Sequence, residues 1–109
     1  MGSPDAIKKI LSDMRSAIDR HKIVLAPRKK NMDTLARLGL TWQDAQDEIY
    51  SLTEADYHQG PMLDRNDTTS DHLWVFKKRI DGEVIYIKFK VVYQENGEVR
   101  VVSFHIAEY

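Results

Sequence analysis

Lys77, Tyr86, Lys88 and His105 are the side chains in the last third of this chain best suited to chemistry. Together these types can cleave RNA by attack of a 2′-hydroxyl on the adjacent phosphodiester. An imidazole titrates near neutrality, so His105 can take the 2′ proton or protonate the departing 5′ oxygen. Lys88 and Lys77 can neutralise charge building on the pentavalent phosphorus. Tyr86 can orient the scissile phosphate by hydrogen bond or stack on a base. The route needs no metal. The four histidines, His21, His58, His72 and His105, make no metal-binding spacing with one another. No cofactor is expected: there is no phosphate loop, dinucleotide fingerprint or GxSxG.

Two turns must position these groups. Asp81-Gly82 and Asn96-Gly97 each predict a two-residue type I′ hairpin, because Asp, Asn and Gly tolerate positive φ at both central positions. Around the first turn the predicted pairs are Lys77 with Tyr86, Val75 with Lys88, Phe76 with Ile87 and Trp74 with Phe89. Around the second they are Lys88 with His105, Lys90 with Ser103, Phe89 with Phe104, Ile87 with Ile106 and Val91 with Val102. Alternation then gives one apolar face: Trp74, Phe76, Ile85, Ile87, Phe89, Val91, Val102, Phe104 and Ile106, with Lys78 as its charge. The second face holds Val75, Lys77, Arg79, Tyr86, Lys88, Lys90, Ser103 and His105, with four cations and no carboxylate. A wet, lysine-rich face is also ordinary in antiparallel sheets. A non-catalytic module that docks RNA or an acidic protein on this face is therefore the alternative.

The rest of the chain supplies a backing layer. Ser3-Pro4-Asp5 starts a helix, and Ile7, Ile10, Leu11, Met14, Ala17 and Ile18 form its apolar stripe to about Arg20. Lys22 to Ala26 is a candidate edge strand stopped by Pro27. Arg28-Lys29-Lys30-Asn31 reads as a basic loop, either a solvated turn or a contribution to phosphate binding. Met32 to Leu38 predicts a short helix ended by Gly39, and Thr41 to Leu52 another. Thr53 with Asp56 starts one more helical turn, broken at Gly60-Pro61, and a polar loop runs to Asp71. The expected fold is α+β: N-terminal helices packed on a small antiparallel sheet. That sheet is a three-stranded meander over 73–106 plus an edge strand near 22–26.

At 109 residues the chain makes one domain, 1–109, with a modest core. Its 42% hydrophobic and 30% charged residues are those of a soluble globular protein. No apolar run is long enough for a membrane, and the absence of cysteine fits a cytoplasmic location. A net charge of −1 argues against coating nucleic acid through global charge but allows a local basic face.

Two stretches carry a family resemblance. One is Leu52-Thr-Glu-Ala-Asp-Tyr57, then a polar loop and Asp71-His-Leu-Trp74. The other is Gly82-Glu-Val-Ile-Tyr-Ile-Lys88, then Val101-Val-Ser-Phe104. With Leu38-Gly-Leu40 ahead of a helix, they resemble the MqsR family of toxins from bacterial toxin–antitoxin systems, over about residues 32–104. The resemblance implies a RelE-like fold and ribosome-independent endoribonuclease activity on mRNA. It also implies neutralisation by a cognate antitoxin protein, DNA-binding and encoded in an adjacent gene. The family's active face has a lysine after the Asp-aromatic pair, a glutamine after the tryptophan, a sheet tyrosine and a lysine after Ser-Phe. Tyr86 matches the tyrosine. His58, Val75 and His105 stand at the other three positions. The expected catalytic residues are His105, Tyr86, Lys88 and His58. The expected RNA contacts are Lys77, Lys90, Arg65, Arg79 and Tyr57.

Overall fold

A computed structural model describes residues 2–65 and 71–108. Among them the chain forms three α-helices and one five-stranded sheet. In order these are α1 (Pro4–Asp19), β1 (Ile23–Leu25), α2 (Lys29–Leu38), α3 (Trp42–Tyr50), β2 (Tyr57–Met62), β3 (Leu73–Ile80), β4 (Glu83–Val92) and β5 (Glu98–Ile106). The sheet order is β1-β5-β4-β3-β2. β1 runs parallel to β5 and every other neighbour is antiparallel, so the sheet is mixed. The α+β class, the helical backing and the edge strand near 22–26 are as expected.

Local chemistry explains the helices. Ser3 Oγ accepts from the Ala6 N–H at 3.1 Å, Pro4 opens α1, and Ile7, Ile10, Leu11, Met14 and Ala17 bury its stripe. Thr41 and Asp44 cap α3 reciprocally, at 3.0 and 2.9 Å. α1 packs on β4, β5 and α3. The apolar face of the sheet, with Phe76, Ile85, Ile87, Phe89 and Phe104 fully buried, is the core under these helices. Lys78 lies on that face, ion-paired to Glu48 of α3 at 2.7 Å. Among the described residues no helix is long and apolar enough to cross a membrane.

The basic stretch is not a loop. α2 begins at Lys29, so Lys29 and Lys30 form its first turn, and Gly39 ends it at φ 67°. α2 lies against the free edge of β5. Asn31, wholly buried, accepts from the Phe104 N–H at 2.9 Å and donates to the carbonyls of Val102 (3.1 Å) and Ala26 (2.9 Å). Thr34 Oγ1 accepts from the Ile106 N–H at 3.2 Å. Side chains thus satisfy an edge that β1 is too short to cover.

The first hairpin has the predicted register throughout, with Asp81 and Gly82 at φ 51° and 81°. The second does not. Tyr93–Glu95 is a 3-10 turn, so β4 stops at Val92 and the connection runs from Tyr93 to Gly97. Asn96 and Gly97 do take positive φ, 58° and 72°, but as the end of a longer loop. His105 therefore opposes Tyr86 and Lys88 opposes Ser103. A bulge follows: Phe89 opposes Val101, and Val102 is the extra residue. Val99 and Val101, not Val102, fill the core.

Residues 57–62, expected to end a helical turn and enter a loop, form the edge strand β2 after a short 3-10 turn at Glu54–Asp56. Gly60 sits where a side chain would meet the Leu73 carbonyl at 2.8 Å, at φ 121°. A close backbone approach of this kind, with Pro61 on an edge, is how Gly and Pro enter strands.

The second face is closed at one end. Val75, Lys90, Val92 and Ser103 are buried there, and Asp64, two residues past β2, is ion-paired to Lys90 at 2.9 Å. Asp64→Ala should destabilise the fold by about 3 kcal/mol, because it takes a carboxylate away from a buried ammonium. Asp64→Leu with Lys90→Met should recover most of that. Urea unfolding of both variants checks the pair.

Candidate active site

The open end of the second face carries a row of side chains across three strands, with His58 of β2 diagonal to its Lys77 end. His105 of β5 opposes Tyr86 of β4, and Tyr86 opposes Lys77 of β3. On β2, Tyr57 pairs with Phe76 and Gln59 with Val75, so His58 is the extra residue of a bulge. His58 follows core-facing Tyr57, so alternation puts it on the open face. His58, Lys77, Tyr86 and His105 line one cleft of about 300 Å³, joined by Lys30, Ala107 and Glu108. Shallow grooves extend it over Lys30, Asp33 and Thr34 on one flank and along β2 from Tyr57 to Met62 on the other.

His105 is held in a defined pose. Its ring stacks on Tyr86 with centroids 5.4 Å apart and planes 16° from parallel. Its Nδ1 lies 3.1 Å from the Ile106 carbonyl. A carbonyl has no proton to give, so Nδ1 carries the hydrogen and Nε2 the lone pair of the neutral ring. The ring is thus set to accept a proton at Nε2. The imidazoles of His105 and His58 end the row, and Lys77 and Tyr86 stand between them. A phosphodiester laid across the row meets a cation and a phenol at its centre and a proton-transfer group on each side.

The other expected site residues lie elsewhere. Lys88 and Arg79 are on the same face, each two residues, about 7 Å, along its strand from the row. They flank the cleft on opposite sides, and Lys88 does not face His105. Arg79 donates to the Gly82 carbonyl at 3.1 Å, near the hairpin end. Lys90 is not a surface cation: its side chain is 4% exposed and bound to Asp64. Tyr57 points into the core, edge-on to Trp74 and Phe76, with its hydroxyl donating to the Gly60 carbonyl at 2.5 Å. Arg65 is exposed beyond β2 and outside the cleft lining. Glu108 is the addition, and Lys30 comes from the basic stretch 28–31 already weighed for phosphate binding. The cluster of cations was the legible sign of Lys30, because such a cluster attracts a polyanion. Among the described residues no three His, Asp or Glu side chains converge to hold a metal ion.

The family model for the motility quorum-sensing regulator, toxin of MqsA, matches residues 8–106. The chain belongs to this family. Membership makes this MqsR-family protein the toxin of a toxin–antitoxin system, with an antitoxin as its partner. No curated protein matches the chain in sequence. Of the four positions that the resemblance singled out, the toxin brings three, His58, Tyr86 and His105, into the one cleft. The fourth, Val75, is fully buried.

Proposed function

We propose that this toxin is an endoribonuclease, an mRNA interferase that cuts single-stranded mRNA in the cytoplasm without a metal ion. The observation that carries the proposal is the shared cleft of His105, Tyr86, Lys77 and His58. His105 Nε2 takes the proton of the 2′-hydroxyl. The O2′–P bond forms, the P–O5′ bond breaks, and a protonated His58 gives its proton to the leaving 5′ oxygen. Lys77 and Tyr86 hold the non-bridging oxygens, where charge builds. Microscopic reversibility allows the two histidines to exchange roles, and their position at opposite ends of the row suits either assignment. The products are a 2′,3′-cyclic phosphate and a 5′-hydroxyl. A cognate antitoxin, DNA-binding and encoded beside the toxin, neutralises it.

Purified protein is expected to cut single-stranded RNA in the presence of EDTA and without ribosomes. A substrate carrying a single ribonucleotide in a DNA strand should be cut only 3′ of that residue. RNA that stays intact under both conditions, or cleavage of all-deoxy substrate, would overturn the proposal. The alternative of a docking face without catalysis relied on Lys88 and Lys90 as surface contacts. The burial of Lys90 weakens it.

A further inference from the structure

Lys30 enters the cleft from the first turn of α2, on the His105 side. Arg28, Lys29 and Lys30 follow one another at this helix start, and the first turn has no acid. Three cations at the positive end of a helix dipole are an unfavourable local choice. Conflicts of this kind between local rules and the fold concentrate at functional sites. Lys29 is answered within the helix by Asp33 at 2.6 Å. Lys30 is answered from the far end of the chain, by Glu108 at 2.6 Å. Glu108 is itself part of the cleft lining. Ala107 brings it there by donating its N–H to the Val84 carbonyl at 2.8 Å, which keeps the chain beside β4 past the end of β5.

An anion therefore already sits at the Lys30 end of the cleft. The hydrogen bond and charge of Lys30 hold the Glu108 carboxyl below its usual range, so it stays ionised at neutral pH. Yet the pair is open to water, with side chains 64% and 59% exposed. Ion pairs so exposed are weak and exchange readily for another partner. We propose that Lys30 is a further phosphate-binding residue of this site, and that Glu108 is an internal stand-in for the phosphate which an RNA strand displaces. The proposal rests on the RNA substrate inferred above. Lys30 lies one element beyond His105, on the flank that continues over α2. The phosphate it takes is a neighbour of the scissile one, and its effect falls on substrate binding.

The test measures binding of a fully 2′-O-methylated single-stranded oligoribonucleotide, which cannot undergo 2′ attack, and steady-state cleavage of the matching RNA. Glu108→Gln should tighten binding and lower KM severalfold. Lys30→Ala should weaken binding severalfold and reduce the salt dependence by about one ion. Adding Glu108→Gln to Lys30→Ala should change nothing further, because the carboxylate then has no cation to mask. Both side chains are exposed, so melting temperatures should match the wild type. Unchanged affinity in Glu108→Gln, or equal tightening with and without Lys30, would overturn the proposal even where the wild type cuts RNA. If the predicted pattern of binding holds but RNA stays uncut, Lys30 and Glu108 keep their roles and the endoribonuclease reading fails.

Discussion

His105→Ala is expected to slow RNA cleavage by about 10²- to 10⁴-fold, the usual worth of a positioned acid or base. The imidazole stands at its own end of the cleft, and its ring is positioned there. Its Nδ1 is committed to the Ile106 carbonyl at 3.1 Å and its ring is fixed by the Tyr86 stack. The loss should appear in single-turnover rates with little change in oligonucleotide affinity, because the ring moves a proton and does not hold charge in the ground state. Free imidazole should restore part of the rate in the alanine variant. Tyr86→Phe keeps the stack and removes only the hydroxyl. It should cost about 10- to 100-fold, as for one hydrogen bond to a charged group. Lys77→Ala should instead affect binding and rate together, since a lysine attracts the phosphate before and during reaction. A folded His105→Ala protein with full activity would remove His105 from the mechanism.

How the sequence placed these groups follows from parity. The second hairpin was expected to turn on Asn96-Gly97 alone, and the 3-10 turn at Tyr93–Glu95 lengthened it. At His105 the register moved by two residues, an even number, so the face was preserved and only the partner changed, from Lys88 to Tyr86. The site therefore survived an error in the pairing. The bulge at Val102 adds one residue, an odd number, and past it the faces exchange: Val101 goes inward where Val102 was expected. Nothing local to Val-Val-Tyr-Gln-Glu announces a 3-10 turn. Lys90 was illegible for another reason. Its alternation is that of a surface lysine, and its burial goes with a carboxylate 26 residues away, Asp64, bound to it. β2 was missed because Gly60 and Pro61 read as breakers, yet both are accepted on an edge. His58 faces the cleft because it follows core-facing Tyr57 on a strand, an alternation that could be read only once β2 was known to be a strand.

The largest expected loss of stability comes from Asn31. Asn31→Leu, close in volume, should destabilise the fold by about 4 kcal/mol, the summed cost of leaving the Phe104 N–H and the Val102 carbonyl without this partner, while the Ala26 carbonyl keeps the Arg28 N–H at 2.8 Å. The Phe104 N–H, the Val102 carbonyl and the Ala26 carbonyl all bond this one amide, which is wholly buried. The Phe104 N–H is the most buried of them, so its loss dominates. Domains of this size are stable by roughly 5–15 kcal/mol, so the melting temperature should fall by about 20 °C. Asn31→Asp separates the two halves of the amide. It keeps the acceptor for Phe104 but turns the donor into a charged oxygen facing two carbonyls. It should be at least as damaging as leucine at neutral pH and should recover on acidification, when a protonated carboxyl can donate again. Wild-type melting of Asn31→Leu would mean that water reaches this edge and that the amide is dispensable. The same bonds hold α2 against β5 and so place Lys30 beside His105. Weakening them should therefore raise KM for RNA at temperatures well below the melting transition, where α2 frays from the sheet before the core of β3, β4 and β5 opens.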